Sequence, residues 1–263
     1  MSQSKKLKFL GCEILYREAC KLAAESANLV DVEFLPKGLH DLETDRMRAA
    51  IQERIDQAEA DGDYQAILLG YARCNDGVVG LAAGSVPLVI PRAHDCITLF
   101  FGSRQAYQEW FDKAPGTYYM TTGWAERNDG WEFGASQIPG RSGIMHKLGL
   151  CETYEQMVAR YGKDNADYIL AELGDWKKNY TAMLYLEMGV CDESGHVEAA
   201  KARAAEHGWQ FYRRPGSLSL LGKLFDGPWD DDFVLVQPGH LIRPRQGGQI
   251  LASEPAGGED QGD

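Results

Sequence analysis

The 263-residue sequence has no apolar run long enough to span a membrane and no excess of basic residues. Its longest uncharged stretch, residues 78–91, is short and is interrupted by Gly80, Gly84 and Pro87. Lys and Arg number 27 against 39 Asp and Glu, for a formal net charge of −12, which argues against nucleic acid or an anionic membrane as the partner. No apolar signal segment opens the chain, so we expect a cytoplasmic protein.

The sequence also lacks any Cys-x-x-Cys pair. Its six cysteines are too sparse for the disulfide framework of a small secreted domain. In a reducing compartment, such cysteines are buried small apolar residues, metal ligands or reactive thiols. The positions of the cysteines in the predicted fold therefore matter most for function.

Short apolar runs alternate with segments of helical spacing, a pattern that predicts an α/β fold. The strand-like runs are residues 7–12, 30–35, 64–71, 86–91 and 117–121, and the helical segments between them include 13–27, 45–60 and 97–113. We expect an open, mainly parallel sheet or sheets with helices on both faces. The run at 64–71 does not alternate, which is typical of a strand covered on both sides.

The same pattern divides the chain into two Rossmann-like halves. Residues 1–140 form the predicted N-terminal α/β half, and residues 141–245 a helical connector followed by a C-terminal α/β half. From residue 246 to 263 the chain is mostly Gly, Pro, Asp and Glu, so we predict a disordered acidic tail.

Three cysteines and one histidine follow the carboxyl ends of predicted strands. Cys12 ends the first strand, Cys74 follows the third, and His94 and Cys96 follow the fourth. Ligands bind at this edge of an open parallel sheet, and thiolate and imidazole are the ligands of zinc, while thiolates hold iron–sulfur clusters. We therefore predict that Cys12, Cys74, Cys96 and His94 bind zinc or a [4Fe-4S] cluster. The alternative is that each cysteine is a small core residue.

Further residues at the same edge are predicted to hold a small-molecule substrate. Arg92 could clamp a carboxylate, and the glycine-rich segment after Cys74 resembles an anion cradle. Aromatic residues after the fifth strand could wall a pocket. The candidate substrate-binding residues are Arg92, Asn75, Asp76, Gly77, Tyr118 and Trp124. The structural alternatives are a surface salt bridge, an ordinary turn and core packing.

Several motifs together resemble a largely uncharacterised microbial family known only as a domain of unknown function. They are Gly11-Cys12-Glu13-Ile14-Leu15-Tyr16-Arg17-Glu18, Gly70-Tyr71 with Cys74 and Gly77-Val78-Val79-Gly80-Leu81, Pro91-Arg92-Ala93-His94-Asp95-Cys96-Ile97 and Pro115-Gly116-Thr117-Tyr118-Tyr119. The resemblance covers roughly residues 7 to 240. It implies an association with corrinoid proteins and methyltransferases, and hence with one-carbon metabolism.

His94-x-Cys96 is also similar to the zinc pair of corrinoid-linked thiol methyltransferases. The chain departs from those enzymes because it is too short for their barrel and because its third thiol lies upstream of the pair. The first hypothesis is thus a metal–thiolate protein, of methyltransferase type, acting in corrinoid-linked one-carbon transfer. The alternatives are a metal-free enzyme with Cys96 or Cys74 as nucleophile and His94 as base, and a non-catalytic accessory of a corrinoid methyltransferase. No catalytic residue is assigned for the first hypothesis.

Overall fold

The fold is known from a computed structural model that describes residues 4–41, 44–127, 154–173 and 179–257. It is a mixed α/β structure with a five-stranded sheet, a three-stranded sheet and a two-stranded hairpin. In chain order the strands are β1 Lys6–Cys12, β2 Leu29–Leu35, β3 Ala66–Gly70, β4 Leu88–Pro91, β5 Thr117–Met120, β6 Ala182–Glu187, β7 Gln210–Pro215, β8 Phe233–Val236, β9 His240–Pro244 and β10 Leu251–Pro255. Within these ranges, no helix is long and apolar enough to cross a membrane.

The helices that connect and cover these strands are mostly short. In chain order they are α1 Tyr16–Glu25, α2 Thr44–Asp61, α3 Ile97–Phe101, α4 Arg104–Lys113, α5 Thr122–Glu126, α6 Tyr154–Tyr161, α7 Lys163–Leu173, α8 Ser194–Glu206 and α9 Ser219–Asp226. Short 3-10 turns follow β1 at Glu13–Leu15, β2 at Lys37–Asp41 and β3 at Cys74–Asp76.

The five-stranded sheet has the order β2-β1-β3-β4-β8, with every pair parallel except the antiparallel edge pair β4–β8. All five residues of β3 are buried, which confirms a strand covered on both faces. The ring of Phe9 lies against Gly11 and Gly70 and stacks on Phe225 of α9, with 5.1 Å between the ring centroids. A β-carbon at either glycine would fall within 2.5 Å of that ring, so the two glycines make room for this packing.

The second sheet is wholly parallel and has the order β5-β6-β7. Its first strand, β5, was expected to extend the first sheet, but it pairs with β6 instead. Tyr118 of β5 packs against Tyr180 and Trp209, with ring centroids 5.3 and 5.7 Å away, and these aromatic contacts hold β5 in the second sheet. The edge strand of the first sheet is instead β8, which pairs with β4. The two halves therefore exchange strands, and the predicted boundary at residue 140 lies outside the described residues.

The C-terminal segment differs from the predicted disordered tail. β10 pairs with β9, and Ile250 and Leu251 are 3 % and 0 % exposed. Arg104 donates to the Gly248 carbonyl at 2.6 Å. The prediction of disorder is therefore wrong for residues 247–257. Although this segment is mostly polar, a few buried apolar side chains and hydrogen bonds to its main-chain carbonyls hold it against the rest of the protein. Residues 258–263 lie outside the described part.

A buried carboxyl group on α1 gives a pH-dependent stability. Glu18 is 0 % exposed, and neither of its oxygens has a hydrogen-bond partner among the described residues. Burial raises the pKa of Glu18 from 4.5 to about 7, and the nearby carboxylates of Glu193 and Glu126 add to the rise while Arg17 opposes it. The folded protein therefore holds this proton more tightly than the unfolded chain. As the pH rises from about 4.5 through 7, the stability falls.

We expect Glu18→Gln to remove most of this loss of stability at higher pH. Relative to the wild type, the variant should gain about 2.5 kcal/mol in free energy of unfolding between pH 5 and pH 8. The measurement is urea unfolding at both pH values, with Glu53→Gln on the exposed side of α2 as the control. An equal loss of stability in the wild type and in Glu18→Gln would contradict a charge penalty at this position.

The start of α5 lies directly on the 3-10 turn that follows β1. A β-carbon on Gly123 would lie 1.7 Å from the carbonyl oxygen of Ile14, so this contact requires glycine. We expect Gly123→Ala to destabilise the protein by about 1–3 kcal/mol in urea unfolding. Gly195→Ala is the control, since nothing lies within 4 Å of its added β-carbon. If the two variants were equally stable, this contact would not be tight.

Candidate functional site

Three cysteines from separate strand ends line one cavity. Cys12 is the last residue of β1, Cys74 opens the 3-10 turn after β3, and Cys96 directly precedes α3 after β4. Their strands are parallel neighbours in the sheet, so the carboxyl ends meet at one edge. The rest of the lining consists of Ile14, Pro36, Lys37, Leu39, Met47, Gly70, Tyr71 and Ala72.

The turn that carries Cys74 has an unusual backbone. Asn75 and Asp76 both have φ of 52°, a left-handed conformation that Asn and Asp tolerate better than most residues. At Gly77 a β-carbon would lie 2.3 Å from the sulfur of Met47, which itself lines the cavity. The turn is thus fixed both by its own residues and by packing against α2.

The loop that carries Cys96 is fixed by Asp95. One carboxylate oxygen of Asp95 accepts from the main-chain N–H and the hydroxyl of Thr98, at 3.1 and 3.2 Å. The other oxygen accepts from the hydroxyl of Tyr107 at 2.9 Å. Asp95 therefore ties the loop to α3 and α4, and this accounts for an acidic residue directly before the cysteine.

The two loops also bind each other. The N–H of Arg73 donates to the carbonyl of Ala93 at 2.9 Å, and Cys74 and Cys96 line the same cavity. The neighbouring thiol lowers the pKa of Cys74 and raises that of Cys96, whose burial raises it further.

Cys12 is the most enclosed of the three thiols. It is 7 % exposed, and burial raises its pKa to about 12. The proximity of Cys74 adds to the rise, while the Lys37 ammonium opposes it. In the absence of a ligand, Cys12 is therefore a protonated thiol at neutral pH.

Two polar residues of the cavity were missed by the sequence analysis. Lys37 is 3 % exposed, and its Nζ lies 4.9 Å from the centroid of the Trp124 ring. Tyr71 is 6 % exposed, and its hydroxyl has no hydrogen-bond partner among the described residues. Both could have been found by the same rule as the cysteines, because Lys37 follows the end of β2 and Tyr71 follows the end of β3.

His94 and Arg92 differ from their predicted roles. His94 is exposed and does not line the cavity, although it lies only two residues before Cys96. Arg92 donates through Nε to the Phe233 carbonyl at 3.1 Å, and through Nη1 to the carbonyls of Gln249 and Leu251. Its contacts thus hold the C-terminal hairpin against β4 and β8, in place of the predicted clamp on a substrate carboxylate.

The predicted anion cradle after Cys74 is an ordinary network of turns. The N–H groups of Asp76, Gly77 and Gly80 donate to the carbonyls of Arg73, Cys74 and Ile242. The carboxylate of Asp76 accepts from Nε of Arg73 at 2.7 Å. These main-chain donors are occupied within the protein, so Asn75, Asp76 and Gly77 shape the cysteine loop.

Two predicted aromatic residues and the other cysteines remain to be placed. Trp124 reaches the site through the ammonium of Lys37, whereas Tyr118 packs in the core of the second sheet. Cys20 is half-buried on α1, and Cys191 follows β6. Cys151 lies outside the described residues.

The cavity is small. It encloses about 20 Å³, which suffices for one water molecule or one bare ion. Among the described residues, no three His, Cys, Asp or Glu side chains stand close enough to hold a metal ion together. Cys74 and Cys96 lie on two loops that hydrogen bond to each other, and Cys12 is a third thiol on the wall of the same cavity.

Comparisons with known proteins identify a family but no function. The family model described as "Protein of unknown function (DUF1638)" matches residues 34–225, and a search of curated proteins gave no match. One solved structure, described as a sugar transporter from Clostridium phytofermentans, is 14 % identical over 89 % of this chain and 99 % of that one, with a TM-score of 0.31. A score this low supports no inference about fold or ligand. Because the family model spans most of the chain, the protein belongs to the DUF1638 family.

Proposed function

We propose that the protein binds a thiophilic metal ion through Cys74, Cys96 and Cys12. The observation that carries this proposal is that Cys74, Cys96 and Cys12, from three strand ends, line one cavity. Free cysteines are commonly buried singly among apolar side chains. Three cysteines from three strand ends around one cavity are better explained by a shared ligand.

Size and ligand chemistry favour a single zinc ion over a [4Fe-4S] cluster. A cavity of about 20 Å³ accommodates a single ion, and zinc takes thiolate ligands at about 2.3 Å in a tetrahedral arrangement. Cys74 and Cys96 lie on loops joined by a hydrogen bond, so we take them as the first two ligands.

Cys12 would complete the site through a change in its side-chain conformation. As the side chains stand, it does not form a three-residue ligand group with the other two. Burial disfavours its thiolate, and a nearby metal ion reverses that preference because a coordinating thiol is deprotonated outright. Three protein ligands leave one position open for a substrate.

This chain supplies further groups around that position. The Lys37 ammonium balances the negative charge of the thiolates, and the buried Tyr71 hydroxyl is a hydrogen-bond donor for a small molecule. A zinc ion with an open position provides a Lewis acid that activates a bound thiol or water near neutral pH. His94 and Arg92 take no part, since their side chains lie elsewhere.

We propose further that the substrate is a small molecule and that the reaction belongs to corrinoid-linked methyl transfer. Support for this part comes from the resemblance of the sequence motifs, with His94 no longer counted as a ligand. The test is to incubate the zinc-loaded protein with methylcobalamin and a small thiol and to follow the visible spectrum of the corrinoid. Zinc-dependent demethylation is the expected result. A spectrum that stays constant would reject the corrinoid link and leave the metal site standing.

A metal-free cysteine enzyme is the second candidate, and one observation favours it. The neighbouring Cys96 thiol lowers the pKa of Cys74, which favours the thiolate form that acts as nucleophile. Cys96 lines the same cavity as Cys74, whereas His94 is exposed and does not. Stoichiometric alkylation of Cys74 in a protein that contains no metal, with loss of an activity, would select this candidate.

The metal proposal predicts about one zinc ion per chain in protein purified anaerobically. Cys74→Ser and Cys96→Ser should reduce the metal content to near zero, because each removes one of the paired ligands. Cys20→Ser, on α1 away from the cavity, is the matched control and should retain its zinc. Elemental analysis measures the content, and circular dichroism checks that each variant is folded.

Two outcomes would contradict this prediction. One is a wild-type protein without metal that also fails to take up added zinc. The other is equal zinc loss in Cys20→Ser and Cys96→Ser. A brown protein containing iron and sulfide would instead identify a cluster in place of zinc.

A further inference from the structure

The contact between Cys74 and Cys96 allows chemistry that needs no metal. The backbone holds the two loops together through the hydrogen bond from Arg73 to Ala93. The left-handed backbone at Asn75 and Asp76 restrains the loop of Cys74. The hydrogen bonds of Asp95 restrain the loop of Cys96. A disulfide forms only between cysteines whose backbones already lie close together, and Cys74 and Cys96 line one small cavity on two loops that hydrogen bond to each other.

We propose that Cys74 and Cys96 are a reversible dithiol–disulfide couple that exchanges with small disulfides such as oxidised glutathione. Cys74 and Cys96 are each half-buried, whereas Cys12 is 7 % exposed. Either thiol of the pair can attack first; when Cys74 attacks, Cys96 is the resolving thiol.

The exchange occurs in two balanced steps. The Cys74 thiolate attacks one sulfur of oxidised glutathione, forms a mixed disulfide and expels one glutathione thiolate, which takes a proton from water. Cys96 then loses its proton, and its sulfur attacks the Cys74 sulfur and expels the second glutathione. The two protein thiols lose two electrons and two protons, and one glutathione disulfide is reduced to two thiols.

Oxidation would also control the site. If the proposed function holds, the disulfide removes two of the three ligands, and the metal ion dissociates. The metal content would then depend on the thiol–disulfide state of the surroundings. This consequence depends on the metal proposal, but the formation of the disulfide does not.

The experiment uses the full-length chain, reduced and free of metal, in buffers with increasing ratios of oxidised to reduced glutathione. Samples are quenched in acid and weighed as intact protein, and a second portion is alkylated and analysed as peptides. The expected product is lighter than the reduced protein by two hydrogen atoms and contains a Cys74–Cys96 cross-link. Cys20→Ser and Cys191→Ser should form the same cross-link, and so should Cys12→Ser.

Cys96→Ser gives the sharpest result. Without its resolving thiol, this variant should stop at a mixed disulfide between glutathione and Cys74, heavier than the reduced protein by one bound glutathione. Glutathione on Cys12, or a cross-link that joins Cys12 to another cysteine, would overturn the assignment. Complete absence of oxidation in the wild type across the whole range would overturn the couple itself.

The same samples separate this inference from the proposed function. Reduced protein that binds zinc and never forms the cross-link supports the metal site and rejects the couple. Protein that forms the cross-link and never binds zinc rejects the metal site and supports the couple. If both hold, zinc should be released in proportion to the cross-linked fraction.

Discussion

The parallel pairing of β1, β3 and β4 brings three thiols to one edge of the five-stranded sheet. Cys12, Cys74 and Cys96 are far apart in sequence, and only this pairing places them around one cavity. The hydrogen bond between the loops of Cys74 and Cys96 then pairs two of the thiols, and Cys12 is the more deeply buried third. The proposed metal binding and the proposed exchange both depend on this arrangement.

The rest of the protein serves to hold that edge in place. Asp95 anchors the loop of Cys96 to α3 and α4, and Met47 packs on the turn of Cys74. The C-terminal hairpin binds the same region through Arg92, and Arg73, beside Cys74, donates to the carbonyl of Arg245. Several contacts from distant parts of the chain thus restrain two short loops, as a preorganised site requires.

Much of the fold could be predicted from the sequence because the strands are short apolar runs between helical segments. Periodicity shows which residues are buried but not which strand pairs with which, so β5 was placed in the wrong sheet. The C-terminal strand was missed because its composition is polar, while its stability comes from main-chain bonds to Arg92 and from two buried side chains. Such contacts join residues far apart in sequence and leave no local pattern.

Site residues could be predicted from their positions at strand ends, but not from residue type alone. Cys12, Cys74 and Cys96 lie together because they follow neighbouring strands. Arg92 and His94 were chosen for their chemistry, yet one binds main-chain carbonyls and the other faces solvent. Lys37 and Tyr71 were overlooked because neither stands in a recognisable motif, although both follow strands at the same edge.

X-ray absorption at the zinc edge of the zinc-loaded protein tests the central claim most directly, because it reports the atoms bound to the metal. The account predicts a first shell with three sulfur atoms at about 2.3 Å and one lighter atom. Cys12→Ser should show two sulfur atoms in place of three. A shell of nitrogen and oxygen atoms alone would contradict the account, since the three thiols would then not share a metal ion.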